Sequence, residues 1–331
     1  MQMFRKERDS PMNQYTYGPV PSRRLGQSLG INNIPAKTCS YSCVYCQVGR
    51  TSQMQADRQA FYDPTDIYRD VQSRLLRVKE TVEQVDYLTF VPDGEPTLDL
   101  NLGREIGLLK SLGRPVGVIT NSSLLNREDV REELGKADWV SVKIDAVQDD
   151  VWRAVDRPHG SLALEQILDG MLKFAAVYRG KLVTETMLVR GLNDSRDCLK
   201  ETAGFIGRLR PRTAYLSIPI RPPAEPGVQS PDEAALNQGY QIFSGSIDRV
   251  EYLIGYEGNS FAFSGDIEKD LLIITAVHPM RAEAVNTLLS KAGASMAVLD
   301  RLMARGDLAE TKYQGHTFYL RKLKKEPGID L

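Results

Sequence analysis

Six short runs rich in β-branched, aromatic and leucine residues recur along the chain, at 28–34, 87–91, 116–120, 139–144, 182–188 and 214–220, each separated from the next by a helix-length stretch. This alternation limits the fold more than any other feature, because strands joined in regular succession by helices run parallel and share one sheet. A helix start is legible at Asp63-Pro64-Thr65-Asp66. Ile67, Val71, Leu75, Val78 and Val82 follow at three- and four-residue spacing along one face. The expected architecture is α/β, a partial (βα)6 barrel of TIM type over 28–260, preceded by an N-terminal extension, 1–27. In such barrels, chemistry gathers in the loops after the C-terminal ends of the strands.

Beyond residue 265 the pattern changes. Helices are expected at 266–276, 281–291 and 295–305, the last with Met296, Leu299 and Leu302 on one side. Residues 307–320 then alternate around Gln314-Gly315, as a hairpin does. Three helices and a β-ribbon suggest a small winged-helix-like α+β domain over 265–331. It holds ten Lys or Arg against nine Asp or Glu, whereas nucleic-acid-binding domains are usually far more basic. Only Arg321, Lys322, Lys324 and Lys325 are locally dense, and a solvated face explains them equally well. A winged helix also serves to hold peptides or to pack on a catalytic domain.

The chemistry concentrates in Cys39-Ser-Tyr-Ser-Cys43-Val-Tyr-Cys46. Three thiolates this close can hold one side of a 4Fe-4S cluster, and with four iron corners one iron stays open to an outside ligand. A structural zinc site needs four ligands, usually as two pairs. No second pair follows, since Cys198 stands alone and His159, His278 and His316 are scattered. The 331 residues carry a formal net charge of -1, are 42% hydrophobic and contain four cysteines. That composition fits a cytoplasmic enzyme with thiols used as ligands rather than disulfides. No apolar run approaches the ~20 residues of a membrane span.

Cys-x3-Cys-x2-Cys with Tyr45 before the last cysteine resembles the signature of the radical S-adenosylmethionine (SAM) superfamily. Tyr17-Gly-Pro-Val-Pro-Ser-Arg-Arg-Leu-Gly26, Ser28-Leu-Gly-Ile-Asn-Asn-Ile-Pro35 and Gln47-Val-Gly-Arg-Thr51 are similar to the branch grouped with tRNA wybutosine (4-demethylwyosine) synthases. The close match covers about residues 15–52. The resemblance implies a 4Fe-4S cluster on Cys39, Cys43 and Cys46, SAM bound to the open iron, and an electron donor such as flavodoxin or ferredoxin. It also implies reductive cleavage of SAM to a 5'-deoxyadenosyl radical that takes hydrogen from a substrate. Those synthases carry further cysteines for a second cluster, and here only Cys198 remains outside the triad.

The remaining candidate residues fall after or on the expected strands. Pro92-Asp-Gly-Glu-Pro-Thr97 reads by itself as a turn. The resemblance assigns Gly94 and Glu95 to the amino group of the SAM methionine, with Asp93 in place of the first Gly of a Gly-Gly-Glu segment. Asn121 lies in Thr120-Asn121-Ser122-Ser123, either a helix cap or a ligand contact. Ser141, Lys143 and Asp145 share one face of a strand expected to be buried on both sides, which suggests a polar cavity wall. A buried Lys143–Asp145 ion pair is the alternative. Glu185 sits inside an apolar run, as a core hydrogen-bonding group or a cavity contact. Arg221 follows the last strand at the barrel mouth, suited to a carboxylate or phosphate, and Arg23 and Arg24, just before the first strand, are further candidates for anion contacts, although adjacent arginines are usually solvated.

Three functions fit these features: a radical enzyme modifying tRNA or a nucleoside, one acting on a peptide or small metabolite docked by the winged helix, and an iron-sulfur DNA-binding redox regulator. The Gly94-Glu95 loop and the βα units favour an enzyme, since a sensor needs no SAM pocket.

Overall fold

The structure is a computed structural model that describes residues 15–79, 84–255, 258–259, 261–263 and 265–322. It opens with β1 (Thr16–Ser22) and β2 (Gly26–Ile31), paired antiparallel, followed by the two-residue strands β3 (Thr38–Cys39) and β4 (Gln53–Met54), paired with each other. Then come α1 (Pro64–Lys79), β5 (Tyr87–Phe90), α2 (Leu102–Lys110), β6 (Val116–Thr120), α3 (Glu128–Leu134), β7 (Trp139–Lys143), α4 (Asp149–Asp156) and α5 (Leu164–Val177). The series continues with β8 (Lys181–Met187), α6 (Arg196–Leu209), β9 (Thr213–Ser217), α7 (Glu233–Ser244) and β10 (Val250–Leu253). One eight-stranded sheet runs β1-β2-β5-β6-β7-β8-β9-β10, parallel from β2 onward, and curls into a half barrel with the helices outside.

The six expected strands are present, with two more at the edges of the sheet. Thr16–Ser22 reads Thr-Tyr-Gly-Pro-Val-Pro-Ser, and its glycine and prolines hide a strand that an edge position tolerates. The residues expected as an N-terminal extension therefore join the sheet from Thr16; residues 1–14 lie outside the described residues, as do Val82, Lys324 and Lys325. Val250–Leu253 is only four residues long.

Side chains alternate across each strand, and here the two faces part cleanly. Val140, Val142 and Leu216 belong to one buried core with Ile67, Val71 and Ile106 of the outer helices. Trp139, Val183 and Tyr215 point inward and close the barrel interior with Leu25 and Leu253. Further along the same inward rows come Ser141, Lys143, Glu185 and Ser217, so the interior changes from apolar to polar toward the C-terminal strand ends.

After β10 follow α8 (Ile267–Val277), β11 (Met280–Arg281), α9 (Ala282–Lys291), α10 (Ala297–Ala304), β12 (Leu308–Tyr313) and β13 (His316–Arg321), with a three-stranded sheet ordered β11-β13-β12. Its core of Leu271, Ile274, Leu288 and Leu302 is continuous with Tyr17 and Val20 of β1. Arg74 of α1, buried, donates to Gly18 O at 2.8 Å through Nε and pairs with Asp270 of α8 at 3.1 Å. Among the described residues no helix is long and apolar enough to cross a membrane.

Candidate active site

The cysteine loop leaves the C-terminal end of β2 and is fixed mainly by backbone bonds. Val44 N donates to Val155 O at 2.9 Å, Ser42 N to Asp156 O at 3.1 Å, and Cys46 N to Cys43 O at 3.1 Å. The Gly94 loop lies directly on it. Gly94 bridges Thr38, Glu95 N donates to Thr38 O at 3.2 Å, and a Cβ at Gly94 would collide with that carbonyl. Only glycine permits this approach.

Cys39, Cys43, Cys46, Gly94, Ser141, Lys143, Glu185 and Arg221 all line one cavity of about 280 Å³, near the lower end of small-molecule sites. Burial pushes all three thiols above the usual range, with Glu95 adding to the effect on Cys39 and Asp156 to that on Cys43. Thiols in this condition ionise when a soft cation supplies the opposing charge, so the donor set suits iron. The thiols face one cavity without converging on a point: among the described residues no three such side chains stand at metal-binding spacing, and Cys43 Sγ donates to Asp156 Oδ1 at 3.3 Å.

Glu95, Asn121 and Asp145 do not line this cavity; they stand behind it. The Glu95 carboxylate is buried and accepts from Thr97 N at 3.0 Å, Thr97 Oγ1 at 2.6 Å, Thr120 Oγ1 at 2.7 Å and Asn121 N at 2.7 Å. Asn121 Nδ2 in turn donates to Ser40 Oγ at 2.9 Å and lies 3.5 Å from Cys39 Sγ. The polar segment after β6 thus braces the cysteine loop instead of capping α3, whose N-cap is Arg127 without a side-chain bond. Asp145 accepts from Tyr45 OH and from Met187 N at 2.7 Å. Tyr45 OH also lies 3.3 Å from Asp156 Oδ1, and burial together with Asp145 pushes Asp156 well above the usual carboxylate range.

Lys143 pairs not with Asp145 but with Glu185, its register partner on β8, at 3.4 Å. Arg24 also pairs with Glu185, and Ser217 Oγ donates to it at 3.2 Å. Burial alone would raise the Glu185 carboxyl, but Arg24 and Lys143 hold it down at about 2. Burial likewise opposes the Lys143 ammonium, and Glu185 and Asp145 outweigh it, keeping that group charged. Arg221 donates to Gln47 Oε1 at 2.6 Å, and its Nη2 lies 3.0 Å from His278 Nε2, so the C-terminal unit meets the residue next to Cys46. Lys37 faces Asp93 at 3.3 Å on the cavity wall. Sequence reasoning missed the Tyr45–Asp145–Asp156 and Gln47–Arg221–His278 groupings, and no local signal carries them. Cys198 is buried on α6, behind the Ser195 cap.

A half barrel of parallel strands with a three-cysteine loop at its polar end defines an enzyme class, and the sequence comparison agrees. The model of the radical SAM superfamily matches residues 33–206, and the chain belongs to that superfamily. It is a radical SAM enzyme, and its cofactors are a 4Fe-4S cluster and SAM. Within the superfamily, the chain is 44% identical over 310 residues to a UPF0026 protein of Methanocaldococcus jannaschii, covering 93% of this chain and 96% of that one, which places it in the UPF0026 family. In fold it is similar to TYW1 solved with a lysine-pyruvate adduct, at a TM-score of 0.50 and 18% identity over 67% of this chain and 76% of that one. SuiB of Streptococcus suis bound to S-adenosylmethionine gives a TM-score of 0.50 at 13% identity, over 67% of this chain and 49% of that one.

Proposed function

We propose that the hydrogen donor is a nucleoside within RNA, with tRNA the first to test, and that the C-terminal unit holds the macromolecule while its target enters the cavity. Cys39, Cys43 and Cys46 would hold the cluster, with Gly94 and the braced Glu95 loop beside the SAM methionine. When bound, the cluster supplies the electron, from a donor of flavodoxin or ferredoxin type, that cleaves SAM to methionine and a 5'-deoxyadenosyl radical. The chain's own task is to orient SAM and the target C–H bond and to exclude water.

The observation that carries the RNA reading is the position of the C-terminal unit in the cavity wall. Val277 lines the cavity, while Tyr313 OH donates to Pro219 O at 3.1 Å and Gln314 Nε2 at 3.4 Å. The order helix, strand, two helices, hairpin is that of a winged helix, which presents a helix and a wing to nucleic acid. The similarity of residues 15–52 to tRNA wybutosine synthases points the same way. Lys143, paired with Glu185, reads as a fixed cation on the cavity wall. A peptide substrate is the second reading, supported by the near balance of ten basic and nine acidic residues from 265 onward.

The test is 5'-deoxyadenosine release by the anaerobically reconstituted, reduced protein with SAM, without addition and with total tRNA. A tRNA-dependent rise of about tenfold or more, lost on nuclease treatment, is expected. A yield stimulated by cell extract that survives nuclease overturns the RNA reading in favour of a peptide or metabolite.

A further inference from the structure

The charges around the cavity do not balance. Arg24 and Lys143 line it against the one carboxylate they share, Glu185, while Lys37 on the same wall is matched by Asp93. A cubane on three thiolates brings about one net negative charge, and SAM, with a sulfonium, an ammonium and a carboxylate, about one positive; together they leave the excess in place. SAM held at a cluster on Cys39, Cys43 and Cys46, with its methionine beside Gly94, would lie at the cysteine-loop side of the cavity.

The excess is focused where two cations share one acid. Arg24 reaches inward from the β1–β2 turn to Glu185, and Lys143 meets the same carboxylate from β7. The Arg24 Nε–H is buried without a hydrogen-bond partner among the described residues. Lys143 Nζ stands 4.8 Å from the Tyr45 ring centroid, which leaves it between Glu185 and the cysteine loop. Asp145 and Asp156 stand behind the cavity wall, where they favour the Lys143 ammonium, and Tyr45 OH bonds to both. Ser141 and Ser217 add hydroxyls to the same wall. Guanidinium and ammonium groups set around one cavity with donors to spare are the equipment for an oxyanion.

We propose that Arg24 and Lys143, held over Glu185, form an anion subsite that takes a carboxylate or phosphate of the hydrogen-donating substrate, separate from SAM. This deepens the radical-enzyme reading of the cavity by naming the chemical class of its second ligand. It does not depend on that ligand being RNA.

Inorganic phosphate and, separately, acetate titrated calorimetrically into the reconstituted protein saturated with SAM provide the test. At least one should bind, and the better of the two tells which group the substrate carries. Arg24→Gln should weaken that anion about tenfold or more while changing SAM affinity less than about twofold. Glu185→Gln should tighten it, because the competing carboxylate is gone. A purely structural role would move both variants in the same direction. The proposal is overturned if neither anion binds the wild type, if Arg24→Gln weakens SAM and the anion alike, or if Glu185→Gln weakens the anion. Turnover on tRNA without anion binding would remove the subsite alone, and anion binding with tRNA-independent turnover would remove the RNA reading alone.

Discussion

The Glu95 carboxylate accepts four hydrogen bonds inside the protein, from Thr97, Thr120 and the Asn121 amide. Truncating it strands those donors, and each buried donor left unmade costs about 1–3 kcal/mol. Glu95→Ala should therefore lower stability by several kcal/mol in chemical denaturation, and it should also reduce iron and sulfide incorporation, because Asn121 holds Ser40 and flanks Cys39. Full iron content with SAM affinity alone reduced would instead make Glu95 a direct SAM contact. A second residue-scale prediction concerns Glu105, pushed well above the usual carboxylate range by burial and by the Asp99 carboxylate, whose backbone oxygen accepts from Arg58 at 2.6 Å. A carboxyl whose folded pKa is raised keeps its proton in the native state after the unfolded chain has lost it. Stability therefore falls as pH rises above the ordinary carboxylate range. Melting temperatures between pH 5 and pH 8 should decline less steeply in Glu105→Gln than in the wild type, and parallel profiles would refute the assignment. The cysteines were legible because their spacing is itself the signal. Tyr45 was legible only as an aromatic beside Cys46, since its partners Asp145 and Asp156 arrive from β7 and α4 by way of the fold.

At the scale of elements, legibility followed how far each strand's environment matched its local sequence. β5 through β9 are buried on both faces, and their apolar runs stood out at once. β1 did not, because Gly18, Pro19 and Pro21 break the strand pattern and the element is defined by its neighbours, β2 on one side and the C-terminal core through Tyr17 and Val20 on the other. The same junction holds the buried pair Arg74–Asp270, with relative side-chain exposures of 2% and 1%. Removing one partner of such a pair leaves a buried charge and costs about 3–5 kcal/mol, whereas replacing both by apolar groups can be nearly neutral. Asp270→Leu should thus lower the denaturation midpoint sharply, and Arg74→Met with Asp270→Leu should recover part of the loss, the remainder reflecting the Gly18 carbonyl left without Arg74. A double variant as weak as the single one would mean that α8 docks on α1 and β1 through contacts other than this pair.

For the whole molecule, the decisive question is whether residues from Gly265 onward are an attachment or a wall. Three helices and a hairpin in the sequence suggested a separable module, and local pattern has no means of showing what such a module leans on. The structure gives it two anchorages. One is the core shared with β1, and the other is the cavity rim, where Val277 faces the same space as the cysteines and His278 meets Arg221, which in turn holds Gln47 beside Cys46. A detachable reader domain would leave SAM cleavage untouched when removed. A wall would not, because its loss opens the cavity to water and frees Arg221 and Gln47 from their positions. Truncation before Gly265 should therefore lower tRNA-independent 5'-deoxyadenosine release and SAM affinity. Because truncation also uncovers Tyr17 and Arg74, His278→Ala in the full-length chain is the cleaner version. It keeps the shared core and removes the imidazole that faces Arg221 and the Phe261 ring. An unchanged melting temperature with SAM cleavage reduced several-fold would locate the effect at the rim, and cleavage at the wild-type rate would leave the C-terminal unit a docking module without a part in the wall.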